Sequence, residues 1–344
     1  MRGRMAVAMS VALAACGGGS GGGSGGVPVT SGPAPAPTGT PTPSPGPSPS
    51  PSATTAAYAT YAQLTGDQRF RTGCASLRYD VSPPLAQPVT PYGSGLTLAY
   101  AAGTQSWTVT PDSLTSGAFG TGARTYGPAE RDASVTGTVT SYARTTNGFQ
   151  ERLSIGSNLS AGVQPDYVRG FSLRVPLSGY GGTNPPAVQY QCVFGVPTRL
   201  DDAPRGGGTV TFTRTGLNGT AIVYPPSGSP ESYSVVRSQI SFSIDLTTYR
   251  VTTTLRVIGN LLTAGGTSTT DVDLGTYSGS LILDETGYFN GTLTSTDRSL
   301  RSASFGGWFF GPQGAEAAYA AGITSLDTGT GRQLSLIANA IALR

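Results

Sequence analysis

Histidine and lysine are absent from this 344-residue chain, and its three methionines are Met1, Met5 and Met9. Without histidine there is no imidazole general base, no Ser-His or Cys-His nucleophile pair and no His-containing zinc or haem site. Capture of a metal or of haem would have to use Tyr or carboxylate oxygen. Of the 16 tyrosines, Tyr180, Tyr224 and Tyr233 are predicted to lie in loops or at strand ends. We predict no cofactor, no metal and no catalytic residue.

Charge is also scarce, since charged residues make up 11% of the sequence. All 21 basic residues are Arg, and they face 18 acidic residues. Arg2 and Arg4 fall in a segment that we expect to be removed, so the mature chain is close to neutral. A near-neutral balance argues against a nucleic-acid partner and against a polybasic membrane patch.

The amino terminus resembles the export signal of a bacterial lipoprotein. A short apolar run, Met5–Ala14, follows two Arg residues and is too brief to cross a bilayer as a helix. It ends in Leu13-Ala14-Ala15-Cys16, which resembles the lipobox at which a Cys is acylated before cleavage. We predict that residues 1–15 are a signal peptide and that Cys16 is lipidated. The alternative is an ordinary cleavage site with an incidental Cys.

The predicted lipid determines where the protein resides. Several acyl chains on one Cys anchor a protein stably, whereas one chain holds it only marginally. Gly17 follows the Cys, in place of the Asp that often retains such lipoproteins in the inner membrane. We therefore expect an outer-membrane protein that faces the cell surface, with the periplasmic face as the alternative.

Residues 16–57 are expected to form a disordered tether. A Gly/Ser stretch is followed by a Pro-rich one, and no charge or large apolar side chain occurs before Tyr58. Such a composition cannot bury enough surface to offset its ordering entropy. The Pro-rich stretch, 27–52, favours extended polyproline II, which reaches roughly 80 Å at about 3.1 Å per residue.

The remaining residues show the two-residue period of half-buried strands. Apolar residues alternate with polar ones over 209–213, 240–246 and 276–284. Gly, Asn, Asp and Pro between such runs predict turns at 217–219, 225–226, 284–287 and 329–331. Only two short helical pieces are predicted, at 56–64 and 313–319.

The fold class predicted from this pattern is all-β and antiparallel. A charged, Gly-rich interruption at 199–208 suggests a division into an N-terminal β subdomain, 58–204, and a C-terminal eight-stranded antiparallel β-barrel, 205–344. Full closure removes exposed strand edges. A β-sandwich fits the same period and is the alternative.

Cys74 and Cys192 remain after lipidation of Cys16, and we predict that they form a disulfide in the oxidising compartment.

Three stretches resemble one family of proteins, the transferrin-binding protein B-like surface lipoproteins. Gly195-Val196-Pro197-Thr198, Asp202-Ala203-Pro204 and the run from Gly206 to Phe212 are similar to that family's lead into its barrel. Residues 307–316, with Gly307, Phe309, Phe310, Gly311, Pro312 and Glu316, resemble its G-x-F-Y-G-P-x-A-x-E motif. The resemblance implies one handle-plus-barrel lobe. No residue matches the family's transferrin-binding loops, so it implies no particular ligand.

The second motif also has a physical interpretation without the family. Phe309 and Phe310 end an apolar strand, Gly311 permits a sharp turn, and Pro312 suits the first position of a helix. Glu316 is then expected to accept hydrogen bonds from backbone N–H groups at the barrel rim. We therefore interpret these residues as determinants of the fold, with a catalytic Glu as the remote alternative.

Three functions from different classes follow. The first is an outer-membrane receptor that binds an unknown protein or small solute, such as an iron carrier, for an outer-membrane transporter. The second is a structural or adhesive coat lipoprotein without a dedicated ligand. A receptor should expose a contiguous apolar or aromatic patch, whereas a coat protein need not. An enzyme using Asp201-Asp202 or Asp271 and Asp273 is the third, and we expect these acids to be ordinary solvated carboxylates.

Overall fold

The computed structural model describes residues 57–112, 122–146, 148–156, 164–177, 179–180, 185–283 and 287–344. These residues form antiparallel sheets joined by turns, and none of them lies in an α-helix. The prediction of an all-β antiparallel fold is confirmed. The predicted signal peptide, Cys16 and the tether lie outside the described residues, as does most of the turn predicted at 284–287.

Two sheets are built from the first half of the described chain. One orders its strands β1-β4-β5-β6, and the other β3-β2-β10-β9-β8-β7. Their apolar side chains form a shared cluster that includes Leu98, Val109, Leu153 and Phe194. The bounds are β1 Gln68–Arg71, β2 Gly73–Arg78, β3 Leu85–Thr90, β4 Leu96–Ala101, β5 Ser106–Pro111, β6 Arg124–Tyr126, β7 Val139–Thr146, β8 Phe149–Gly156, β9 Val168–Pro176 and β10 Ala187–Gly195.

A third sheet contains the remaining strands. Its order is β11-β14-β15-β13-β12-β20-β19-β18-β17, and β16 pairs with β15. This ladder does not close through a continuous pair of strands. Its two ends meet at one bridge, where Ser278 of β16 and Thr294, which follows β17, exchange two backbone hydrogen bonds of 2.9 and 2.8 Å. The bounds are β11 Thr209–Phe212, β12 Arg214–Tyr224, β13 Glu231–Ser234, β14 Gln239–Asp245, β15 Arg250–Thr263, β16 Gly266–Ile282, β17 Phe289–Thr292, β18 Ser299–Phe310, β19 Glu316–Leu326 and β20 Gln333–Leu343.

The core of the third sheet is aromatic on its concave side. Phe242 stacks on Tyr319 with ring centroids 5.7 Å apart, and Phe289 and Phe309 pack beside them. In β14 the buried residues Phe242 and Ile244 alternate with more exposed neighbours, which explains the two-residue period of the sequence.

Strands β19 and β20 are buried on both faces because the second sheet covers their outer side. Small residues take part in this contact beside larger ones: Ala320 packs in one cluster with Ala75 and Ala86 of the second sheet, and Leu77 and Ile337 belong to the same cluster. A Cβ at Gly322 would lie 2.9 Å from the carbonyl oxygen of Gln87, so only glycine permits this approach. At the same interface the Asn339 amide donates a 3.1 Å hydrogen bond to the Gln191 side chain.

Both helix predictions and one turn prediction are wrong. Of the region predicted at 56–64, the described residues 57–64 contain only a 3₁₀ turn at Tyr61–Gln63, and 313–319 contains a 3₁₀ turn at Pro312–Gly314 followed by β19. The predicted turn at 217–219 lies inside β12. Gly219 is needed there for close packing, since a Cβ would come within 2.3 Å of the Ile337 carbonyl oxygen.

Candidate functional site

A groove with a volume of about 440 Å³ opens on the first sheet. Its walls are formed by five aromatic rings, and we call it the aromatic groove: Tyr61, Phe70, Tyr100, Trp107 and Tyr142. The volume falls within the range of about 300 to 1,000 Å³ that is typical of small-molecule sites. Sequence reasoning singled out none of these residues.

The β4–β5 hairpin supplies the most accessible wall. Tyr100 and Trp107 are paired across this hairpin, and their ring centroids lie 4.8 Å apart. The turn between them contains Gln105 with a φ of 51°, an uncommon conformation for a residue other than glycine. Tyr100 and Trp107 are both only partly buried, so the hairpin presents their rings to solvent.

The second wall begins at the first 3₁₀ turn. Tyr61 packs on Phe70 of β1 at 6.0 Å, and Phe70 stacks on Trp107 with an angle of 29° between the rings. The Arg169 guanidinium lies over the outer side of the Tyr61 ring, 4.5 Å from its centroid. Burial raises the pKa of Tyr61 to about 12, so its hydroxyl is neutral at physiological pH.

Tyr142 of β7 forms the base of the groove. Its ring belongs to the buried apolar cluster against which Trp107 packs. Burial is the main cause of the raised pKa of Tyr142. The backbone of Tyr142 also forms a bridge to Arg131, which follows the 3₁₀ turn at Pro128–Glu130, and this bridge positions Arg131 at the rim.

The polar lining of the groove carries one charge. Gln68, Gln105 and Thr140 contribute neutral amide and hydroxyl groups, and Arg131 contributes a cation. No carboxylate lines the groove among the described residues. The site can therefore stack against a flat apolar surface, exchange hydrogen bonds with neutral polar groups and attract an anion.

Beneath the groove lies the pair of cysteines that the sequence singled out. Cys74 and Cys192 are opposite each other on β2 and β10, and the structure joins them in a disulfide with a sequence separation of 118. Both are buried in the apolar cluster that also contains Phe70 and Phe194. The Thr72 hydroxyl lies 3.2 Å from the Cys74 sulfur.

The sequence stretches that carry the family resemblance meet at one end of the third sheet. Thr198 donates a 2.6 Å hydrogen bond from its hydroxyl to the Gly311 carbonyl, and Gly311 in turn donates from its N–H to the Val196 carbonyl. The Asp202 carboxylate accepts a hydrogen bond from the N–H of Gln313 at 3.0 Å. A Cβ at Gly314 would lie 2.8 Å from the ring of Pro204. The two motifs thus hold each other in place.

Glu316 connects this end of the sheet to the segment before β9. Its carboxylate accepts hydrogen bonds from the N–H groups of Asp166, Tyr167 and Val168, the last two at 3.0 and 2.9 Å. The sequence predicted such backbone donors. Burial raises the pKa of Glu316, and the three donors act in the opposite direction. With both oxygens occupied and the side chain buried, Glu316 serves the fold.

The other residues considered from the sequence lie apart from one another. Tyr233 is buried in β13 and donates to Glu231, Tyr224 ends β12, and Tyr180 is exposed and donates to Asp80. Among the four acids, Asp271 pairs with Arg237 at 2.9 Å and Asp273 with Arg256 at 3.1 Å. Asp201 is exposed, and the neighbouring Asp202 accepts a hydrogen bond from the N–H of Gln313. These contacts are structural.

Within the described ranges, no three acidic, Cys or His side chains come together as a metal site would need. No helix in the described part of the chain is long and apolar enough to span a membrane.

No known sequence family and no curated protein matches this chain by sequence. Solved structures do match it. Intact Ap-TbpB, with its N and C lobes, matches at 13% identity and a TM-score of 0.38, over 78% of this chain and 46% of that one. A double mutant of Transferrin Binding Protein B from Haemophilus parasuis matches at 9% identity and a TM-score of 0.35, over 82% and 77%.

A third match is the haemoglobin receptor HpuA from Kingella denitrificans, at 10% identity and a TM-score of 0.30, over 81% of this chain and 86% of that one. This chain spans less than half of intact Ap-TbpB. The matched structures thus include the family that the sequence motifs resemble. The names of these structures state what those proteins bind, and they assign no ligand to this chain.

Proposed function

We propose that this protein is a lipid-anchored binding protein of the outer membrane that captures a ligand in the aromatic groove at the cell surface. The observation that supports this proposal is the groove itself. It brings the partly exposed rings of Tyr61, Tyr100 and Trp107 together over the buried rings of Phe70 and Tyr142, with a small set of polar groups beside them. Sites for small molecules have this composition.

The groove also favours a receptor over a coat protein. A structural coat has no need of a concave aromatic surface, because exposed rings favour association and carry a cost in solubility. Tyr100 and Trp107 are both partly exposed in the groove. Such exposure is expected of residues that contact a ligand.

The acids and hydroxyls of the fold give no support to an enzyme. The groove contains no carboxylate, thiol or imidazole among its described lining residues, and the acid pairs considered from the sequence are engaged in ion pairs and turns. We therefore propose binding without turnover.

Substitution of Tyr100→Ala is expected to weaken ligand binding by at least about tenfold, because one ring of an aromatic binding surface contributes roughly 1.4 kcal/mol or more. Saturation-transfer NMR on the purified full-length protein, with mixtures of monosaccharides, amino acids, nucleosides and aromatic acids, would measure it. At least one of these classes should receive magnetisation from the wild type.

Tyr249→Ala is the matched control, since Tyr249 is 46% exposed but lies at the β14–β15 turn, outside the aromatic groove. This variant should behave like the wild type. The proposal would be rejected if no solute class gave transfer, or if both tyrosine variants reduced it equally. Thermal unfolding of each variant shows whether the fold is retained.

Substitution of Cys16→Ser is expected to release the protein from the membrane fraction, because the thiol that would carry the lipid is lost. Gly17→Asp should instead shift it from the outer to the inner membrane, and Ser20→Ala should change neither. Fractionation in high salt measures the attachment, and protease treatment of intact cells reports surface exposure. A Cys16→Ser protein that stays membrane-bound would show that the anchor lies elsewhere.

A further inference from the structure

The ligand class can be narrowed from the polar groups of the aromatic groove. Gln68, Gln105 and Thr140 each contribute a side chain that donates and accepts hydrogen bonds. Ligand hydroxyls also do both, so amides and hydroxyls suit them well. The Gln68 amide already donates to the Thr65 carbonyl at 2.6 Å, whereas a ligand recognised only by its apolar surface would leave the remaining polar groups without new partners, at a cost in binding.

The aromatic wall requires that the same ligand has an apolar face. Phe70 and Trp107 are nearly parallel, and Tyr100 packs beside Trp107 with ring centroids 4.8 Å apart and an angle of 42° between the rings. One face of a pyranose ring presents C–H groups to such a surface, while its edge carries the hydroxyls. A saccharide can therefore stack on the aromatic rings and also exchange hydrogen bonds with the polar side chains.

Arg131 adds a positive charge at the rim of the groove. Its sequence neighbours Glu130 and Asp132 are both engaged elsewhere: Glu130 accepts a 2.9 Å hydrogen bond from the N–H of Gly127, and Asp132 pairs with Arg152 at 3.1 Å. The described residues give the Arg131 guanidinium no ion-pair partner, and its side chain is exposed at the rim. A carboxylate on the ligand would supply that partner with two parallel hydrogen bonds.

We propose that the aromatic groove binds an acidic saccharide, with the sugar ring stacked on Trp107 and Tyr100 and its carboxylate paired with Arg131. The proposal rests on the proposed function and specifies its ligand class. A peptide is less well suited, because the β7 edge beside the groove is already paired through Arg131 and Tyr142 and offers no free strand at that point.

The two tryptophans of the chain provide the test. Trp107 lines the groove, whereas Trp308 stacks on Tyr92 in a different cluster, so Trp107→Phe identifies the source of any fluorescence change. The probes are glucuronate, as in polysaccharides, N-acetylneuraminate, as at glycan ends, neutral glucose, and benzoate as a planar anion without hydroxyls. We expect one of the acidic sugars to change the fluorescence of the wild type but not of Trp107→Phe.

Substitution of Arg131→Gln should weaken binding of the acidic sugar by about ten- to a hundredfold, as loss of a charged hydrogen-bond partner does. The same substitution should not change the affinity for glucose. Arg205→Gln makes the same change in net charge on the exposed loop before β11, and it should have no effect. Equal loss in both Arg variants would show a general electrostatic effect and would overturn the proposal.

Failure of this inference can be told from failure of the proposed function. If benzoate or another solute binds in a Tyr100-dependent way but no saccharide does, the groove is a binding site for a different class and the inference is wrong. If no solute binds at all, both are wrong. An acidic sugar that binds with unchanged affinity to Arg131→Gln would also overturn the assigned role of Arg131.

Discussion

Loss of the bond between Cys74 and Cys192 is expected to lower the free energy of unfolding by about 4 to 5 kcal/mol. The bond closes a loop with a sequence separation of 118, and a cross-link over so long a loop removes much of the entropy of the unfolded chain. Both residues are buried, so Cys74→Ala with Cys192→Ala avoids placing a hydroxyl in the apolar cluster.

Urea unfolding of the exported protein, with and without a reducing agent, measures this difference. The wild type should lose stability on reduction, and the double Ala variant should be equally unstable in both conditions. Thiol labelling of the denatured, unreduced protein should find no free thiol at these two positions. Two labelled thiols per chain, or a wild type that is insensitive to reduction, would contradict the prediction.

The strands that the sequence predicted best are those with one face in the core and the other in water. Residues 240–246 and 276–284 belong to this kind, and they fall largely within β14 and β16. Their two-residue period is imposed by burial of one face alone. A single sequence carries this information directly, because every second residue is apolar.

The helix predicted at 313–319 shows where such reasoning fails. Glu316-Ala317-Ala318 has high intrinsic helix propensity, and it lacks the polar alternation of a half-exposed strand. In the fold this stretch is β19, buried on one side by the core and on the other by the second sheet. Packing on both faces overrides propensity, and no local pattern reveals the second face.

The aromatic groove was missed for a related reason. Tyr100 and Trp107 meet only in the register of the β4–β5 hairpin, and the turn between them lacks the Asn-Gly or Asp-Gly signal that would have fixed it. Tyr142 reaches them from β7 of another sheet. By contrast, the role of Glu316 was accessible from the sequence, since a lone carboxylate after a Gly-Pro turn needs donors and finds them in backbone N–H groups.

Strand β18 contains two adjacent glycines, Gly306 and Gly307, and the second begins the motif. Gly307→Ala is expected to lower the free energy of unfolding by about 3 kcal/mol, at the upper end of what overpacking costs. A Cβ at Gly307 would lie 1.9 Å from the Ala318 carbonyl oxygen and 2.6 Å from the Tyr319 Cα. Both atoms belong to the backbone of β19, so the strands would have to separate at a point where they are paired.

Gly306→Ala is the matched control, because it makes the same chemical change one residue earlier in the same strand. Its Cβ would meet only side chains, Val89 at 3.2 Å and Asn290 at 3.3 Å, which can shift. We expect a cost below about 1 kcal/mol. Neither glycine has a positive φ, so conformational strain does not separate the two variants. Equal destabilisation of the two variants in chemical unfolding would contradict the prediction that the close approach of β18 to β19 requires glycine at position 307.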